Sequence, residues 1–285
     1  MCRYKSGESA LIVRWVTDML KGVIFSLRNV LAKNGDTDSS VLKNTLKLLK
    51  YLKSKGVEPV FLGNHDWSIK LGSKKESIPF KDFLEKNIGP VHYYIGGRNG
   101  VPMKPTAAST AYILNAHGWH ANEIMYVGNT PDDMKTAKNG NILFINALWH
   151  GEETDYGFKF SDPGDVARFI DCICLGLNDW FWKIEQPPLR AYAMAPFTTM
   201  SSHYMEAHAY SSDARATAKS GAGHAEFWGR LIAARVYFSG LSQEIDYITA
   251  YPGHAPGSKQ TVIAEALNIL GQSVAKSYIP DLIER

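Results

Sequence analysis

GVIFSLRNVL, residues 22–31, opens on a short uninterrupted apolar run, Val23-Ile24-Phe25, and then turns mostly polar from Ser26 to Asn29. Such a run suits a strand buried on both faces of a parallel sheet. Val30 and Leu31 resume the apolar pattern beyond it. In an open α/β sheet ligands are handled at the carboxyl ends of the strands. The polar burst from Ser26 to Asn29 therefore stands where chemistry is usually placed.

Downstream, Asn34-Gly35-Asp36 is turn material. Residues 39–54, SSVLKNTLKLLKYLKS, place Leu42, Leu46, Leu49 and Leu52 along one face, with Ser39 or Ser40 as N-cap and Gly56 as the stop. Val60-Phe61-Leu62 reads as a second buried strand, ending in Gly63-Asn64-His65-Asp66. Strand, helix and strand within about forty residues form a βαβ unit with a right-handed crossover. His65 and Asp66 are adjacent, and neighbours in extended chain point apart, so they do not read as a dyad.

A helix follows around Phe80–Lys86 and a strand around His92–Ile95. Gly96-Gly97-Arg98-Asn99-Gly100 is a loop without the G-x-G-x-x-G spacing of a dinucleotide site. MKPTAASTAYILNAHG, 103–118, carries Lys104-Pro105 and then a helix expected to pack Ala108, Ala111, Tyr112 and Leu114 inward, with Pro105 in its first turn. MYVGNTPDDMKTAKNGNILFINA, 125–147, is strand, polar turn, helix and strand again. SDPGDVARFIDCICL, 161–175, has helix-start chemistry at Ser161-Asp162-Pro163 and an apolar face through Val166, Phe169, Ile170 and Ile173.

Taken in order, four of these stretches resemble the motifs of the haloacid dehalogenase (HAD) superfamily of phosphoryl-transfer enzymes. Residues 22–31 align with its first motif, placing Ser26 at the nucleophilic Asp and Arg28 at the acid/base Asp. Gly63 stands at the Ser/Thr of the second motif, with Asn64 beside it. Lys104 matches the lysine that neutralises phosphoryl oxygens. Gly128, Asp133, Ala137 and Gly140 fall in register with the fourth motif, while Asn129 replaces its first metal-binding Asp. The resemblance covers about residues 20–175 and implies an α/β fold: a three-layer, mostly parallel Rossmann-like sheet without a cap domain, because the gaps between motifs are short.

The substitutions change the chemistry that the resemblance implies. Ser26 has no evident base, since Arg28 cannot accept a proton. Four Asp and one Lys in the family become one anion, Asp133, against two cations, Lys104 and Arg28. Such a site binds Mg²⁺ poorly at Asn129 and Asp133, and can hold an anion directly through Arg28, Gly63, Asn64 and Lys104. The expectation is a degenerate site that binds a phosphorylated ligand or serves as a scaffold without efficient hydrolysis. Its alternatives are an Mg²⁺-dependent phosphatase and a phosphoribosyl-transfer protein. An uncapped site implies a large phosphorylated ligand, or a protein partner acting as its lid.

The whole chain of 285 residues, 45% hydrophobic and 21% charged, has the composition of an ordinary globular protein with room for one large or two moderate domains. A formal charge of +3 does not argue for nucleic acid or a membrane surface. No apolar run approaches the ~18 residues of a membrane span. Cys2, Cys172 and Cys174 form no disulfide or zinc pattern and read as thiols of a reducing, cytoplasmic compartment. Residues 1–18 read as an extension ahead of a start at Met19, or as a short amphipathic helix.

From Asn178 the composition changes. Trp180, Phe181 and Trp182 read as packing between domains, since no basic track accompanies them for base stacking. Pro187-Pro188 marks a boundary or an edge. A helix from about His224 to Phe238 places Phe227, Leu231, Ala234 and Phe238 on its apolar face. A strand in 245–254 and a helix in 260–276 resemble the opening of a ComF-like phosphoribosyltransferase, without that family's acidic phosphate-binding loop. The expected organisation is a HAD-like domain over 19–177 and a partial phosphoribosyltransferase-like segment over 178–285.

Overall fold

Every residue of β1 (Gly22–Ser26), β6 (Ile124–Gly128) and β7 (Leu143–Ala147) is buried, as continuous apolar runs in a two-faced parallel sheet require. A computed structural model describes residues 20–31, 39–71, 76–151, 153–155, 157–175, 182–194, 212, 214, 216, 224–250 and 261–283. The expected extension over 1–18, the turn at 34–36 and the boundary at 177/178 lie outside these residues.

Six strands form one wholly parallel sheet. In space they run β5 (His92–Ile95), β2 (Glu58–Gly63), β1, β6, β7 and β8 (Phe158–Phe160). The chain fills one half outward from β1, then returns to β1's other side at β6. The direction of winding therefore reverses between β1 and β6, and a crevice at the carboxyl ends of those two strands follows from the topology.

Alternation along each strand sends side chains to two layers. Val23, Phe25, Phe61, Met125, Val127, Leu143 and Ile145 join one cluster, whereas Ile24, Val60, Leu62, Tyr126 and Phe144 join the other. The first is covered by α1 (Ser39–Ser54) through Leu42, Leu48, Leu49 and Leu52, and by α5 (Pro163–Phe169) through Val166 and Phe169. Each fully buried leucine of this kind stabilises by roughly 1.5–3 kcal/mol. The second is covered by α3 (Ala107–His117) and α4 (Pro131–Asn139), through Ile113 and Ala137. Between β2 and β5 stand a small hairpin, β3 (Ser68–Leu71) with β4 (Glu76–Pro79), and α2 (Phe80–Ile88). No cap domain interrupts the described core.

Two local expectations are corrected. Pro105 precedes α3, whose N-cap is Thr106, and the Lys104–Pro105 peptide is cis. The inward residues of α3 are Ser109, Thr110 and Ile113, while Ala108 and Ala111 are exposed. Ser109 and Thr110 can be buried because each hydroxyl donates to a backbone carbonyl three residues back, Thr106 and Ala107. Gly140 then fits closely against Thr110, where a Cβ would stand 2.4 Å from Oγ1.

Beyond α5 the chain makes a π-helical turn, Ile170–Cys174, and an antiparallel hairpin of β9 (Trp182–Gln186) and β10 (Leu189–Ala193). Pro187-Pro188 forms the hairpin's two-residue turn. α6 (Ala225–Phe238) then packs against α7 (Thr261–Val274). Its inward face is turned one residue from expectation: Trp228 is buried with Leu231, Ala234 and Phe238, and Phe227 is 36% exposed. Trp228, Leu231, Val236 and Tyr237 belong to the same apolar cluster as the sheet. The Tyr237 hydroxyl shares its proton between the carbonyls of Ala121 and Ile124, at the entrance to β6. Arg230 lies over the Phe160 ring at 4.6 Å. The strand expected in 245–254 is two residues long, β11 (Tyr247–Ile248), paired in parallel with β12 (Ser277–Tyr278). Residues 251–260 and the aromatic pair Trp180 and Phe181 lie outside the described residues. No described helix is long and apolar enough to cross a membrane.

Candidate functional site

At the reversal of the winding lies a cavity of about 370 Å³. Its walls include Ser26 at the end of β1 and Arg28 beyond it, Gly63 at the end of β2 and Asn64 beyond it, Lys104 ahead of α3, and Asp133 in the first turn of α4. The structure thus brings together six of the seven site residues expected from the sequence. Its mouth is formed by exposed side chains, among them Arg28, His65 and Asp132.

Asp133 is the electrostatic centre. Gly128 ends β6 with no side chain, and a Cβ there would stand 2.4 Å from that of Asp133, so glycine lets the helix start close against the strand. Thr130 caps α4, with its hydroxyl accepting from the Asp133 N–H at 3.2 Å, and Pro131 follows at the first helical position. The Asp133 carboxylate in turn accepts from five donors. These are the Lys104 ammonium at 2.6 Å, the Tyr126 hydroxyl at 3.1 Å, the Thr130 hydroxyl at 2.8 Å, and the backbone N–H groups of Asn129 and Thr130 at 3.2 and 3.3 Å. Burial by itself would raise the pKa of Asp133. The Lys104 charge and the hydrogen bonds outweigh it and hold the carboxyl below the ordinary value.

Lys104 also donates to the Ser26 hydroxyl at 3.1 Å. Its backbone is clipped by the Asn64 amide, which accepts from the Lys104 N–H at 2.8 Å and donates to its carbonyl at 3.1 Å. Asn64 is thereby a brace for the lysine. Gly63 leaves room for Leu27, since a Cβ at 63 would fall 2.7 Å from Leu27 Cδ1. A hydroxyl-bearing residue there would have to displace that side chain. Tyr126, wholly buried, is driven well above the ordinary tyrosine range by burial and then by the Asp133 charge, so it stays a donor. The nearby Ser26 hydroxyl opposes that rise. Lysine, serine, tyrosine and aspartate thus form one network in which none is a free base.

Asn129 stands apart from the cavity wall. It is fully buried, its amide donates to the Asn29 carbonyl at 2.8 Å, and it packs so tightly against Gly151 that a Cβ there would fall 2.0 Å away. Asn129 thus fastens the turn after β1, where Asn29 has φ 59°. Arg28 is exposed and makes no ion pair with a described residue. Asp66 turns from His65 to Tyr93 at 3.2 Å and Arg98 at 3.2 Å.

A hard divalent cation needs several unspent oxygens, ideally anionic. Both Asp133 oxygens are already bonded, the Ser26 oxygen accepts from Lys104, and an ammonium stands 2.6 Å from the carboxylate. The Asn129 Oδ1 has no partner among the described residues, but it is a single neutral oxygen. No group of three or more His, Cys, Asp or Glu among the described residues could hold a metal. The residues present do not fit Mg²⁺.

Three members of the site escaped sequence reasoning. Tyr126 sits inside an apolar strand and gives no signal of its own. Thr130 is the first residue of T-P-D-D, a capping-box spacing that was legible. Asp132 adds a carboxylate to the rim that a comparison of motif positions leaves out.

No protein-family model matches the chain, and no curated protein matches it. Solved structures do resemble part of it. A D,D-heptose 1,7-bisphosphate phosphatase from B. bronchiseptica, complexed with magnesium and phosphate, is 14% identical, with 54% of this chain and 99% of that one covered and a TM-score of 0.39. A HAD-superfamily hydrolase of subfamily IA from Geobacter sulfurreducens is 12% identical over 54% of this chain and 100% of its own, with a TM-score of 0.38. A HAD-superfamily hydrolase from Ehrlichia chaffeensis is 14% identical over 53% of this chain and 96% of its own, with a TM-score of 0.37.

Proposed function

We propose that the chain is a HAD-like protein that binds a phosphomonoester in the cavity between the ends of β1 and β6 and does not hydrolyse it efficiently. The observation that carries this reading is the saturated Lys104–Asp133–Ser26 network. The one carboxylate at the floor of the cavity is spent on five donors, and Ser26 has a lysine donor at its oxygen where a nucleophile would need a base. Arg28, exposed and without an ion-pair partner among the described residues, is the group suited to grip a phosphate in two hydrogen bonds. Asp132 on the rim adds negative charge beside Arg28, which disfavours the further charge of a polyphosphate. Loss of general acid–base catalysis alone costs ~10²–10⁴ in rate. The open mouth suits a ligand much larger than its phosphate, or a partner protein carrying it.

The test measures phosphate release from a panel of phosphomonoesters with Mg²⁺, beside calorimetric binding of the same panel. The protein is expected to bind at least one ester and to release no phosphate above background. Turnover by the natural chain would overturn the reading in favour of a phosphatase. Silence in both assays would leave a scaffold.

A further inference from the structure

The charged side chains that line the cavity between β1 and β6 are Arg28, Lys104, Asp132 and Asp133, and His65 stands among them. The first four cancel. Lys104 and Asp133 close on each other at 2.6 Å in the floor, while Arg28 and Asp132 are exposed at the mouth. With a neutral imidazole the lining therefore carries no net formal charge, and with a protonated one it carries a single positive charge. We propose that the protonation of His65 sets the anion affinity of this cavity, so that a phosphate is gripped in mildly acidic solution and released as the solution turns alkaline. This inference rests on the reading of the cavity as a phosphomonoester site.

The turn after β2 is pinned on both sides of His65. Before it, the Asn64 amide is tied to the Lys104 backbone at 2.8 and 3.1 Å. After it, the Asp66 carboxylate accepts from the Tyr93 hydroxyl at 3.2 Å, from Arg98 at 3.2 Å and from the Trp67 N–H at 3.0 Å. The carboxylate next in sequence is thus engaged by β5 and the loop beyond it, and His65, exposed, makes no ion pair with a described residue. The charged groups that share the cavity with the imidazole come from three elements. Arg28 from the turn after β1 and Lys104 from ahead of α3 oppose its protonation, and Asp132 and Asp133 from α4 favour it. Histidine is the side chain whose ordinary charge change falls between about pH 5 and pH 8. An anion that prefers the charged imidazole must, by linkage, draw a proton in as it binds. Arg28 keeps its charge throughout, so it supplies a constant grip and His65 the variable one.

The experiment is calorimetric titration of sulfate into the full chain at constant ionic strength, at about pH 5.5 and about pH 8. Sulfate keeps both its charges over that range, so a change in affinity belongs to the protein. The natural chain is expected to bind ~10-fold more tightly on the acid side, as gain of one charge-assisted contact allows. Near neutral pH, buffers of different ionisation enthalpy should reveal proton uptake on binding. His65→Asn should lose both the acid-side gain and the uptake, whereas His65→Lys should hold the tighter affinity at both pH values. Sulfate binding that Arg28→Met weakens but that has the same pH ratio in the natural chain and in His65→Asn would overturn this proposal and leave the phosphomonoester reading standing. Absence of saturable binding at either pH, or binding indifferent to Arg28→Met, would overturn that reading and the role of His65 with it.

Discussion

The carboxyl ends of β1 and β6 lie side by side in the sheet and are built on opposite plans. At β6 a buried carboxylate has five donors, a capped helix and a glycine that admits it. At β1 a hydroxyl is followed by an exposed arginine and by an asparagine in the left-handed region whose Oδ1 is buried without a partner among the described residues. The first corner is electrostatically complete, so its charge serves the fold. The second has a cation that makes no ion pair with a described residue, which is the condition for serving a ligand.

The sharpest way to break this contrast is to remove Asp133. Asp133→Ala strands the Lys104 ammonium, 9% exposed, without its partner and should cost ~3–5 kcal/mol in urea unfolding. Its pH signature has a definite sign. The folded pKa is depressed below the ordinary 3.8, so the stabilisation is present above about pH 4 and fades as pH falls through the folded value. Asp133→Asn should lose that acid-side slope. A chain whose stability between pH 5 and 2 is indifferent to this substitution would remove Asp133 from the centre of the site.

Next in size is the attempt to make the β1 corner resemble a phosphatase. Ser26→Asp/Arg28→Asp/Asn129→Asp should gain phosphate release over the natural chain, by ~10²-fold or more if acid–base chemistry is restored. Arg28→Met should lower phosphomonoester affinity about 10-fold, yet move stability by less than ~0.5 kcal/mol, because the side chain is exposed. Equal losses of binding and stability would make Arg28 structural. Smallest is Asn29→Gly, which relaxes φ 59° and removes an orphaned amide oxygen. Despite the entropy of glycine it should stabilise by about 0.5 kcal/mol in thermal unfolding.

The sheet was legible because burial on two faces writes itself as apolar runs. Val23–Phe25, Val60–Leu62 and Leu143–Ala147 all became strands, and Leu42, Leu49 and Leu52 all became core. Ser26, Lys104 and Asp133 were singled out by the motif resemblance, and the structure joins them within 3.1 Å contacts. What stayed hidden depends on side-chain direction. Asn129 and Asn64 look like ligands of something in the cavity, and both are instead tied to backbone, because an amide satisfies a carbonyl and an N–H as readily as it does a phosphate. Tyr126 could not be distinguished from the apolar residues around it. Trp228 and Phe227 are adjacent aromatics on one helix, and only packing against the sheet decided which faces inward.

The Tyr237 clamp and the apolar face of α6 also set a schedule for synthesis. Cys174 closes the segment that carries the sheet, yet its outer face shares a cluster with Trp228 through Phe238, which the ribosome adds some 64 residues later. At ~5–20 residues per second that is a delay of roughly 3–13 s during which the finished sheet has an uncovered flank. Until the late helices arrive, the apolar side chains that they meet in the folded protein lack those partners.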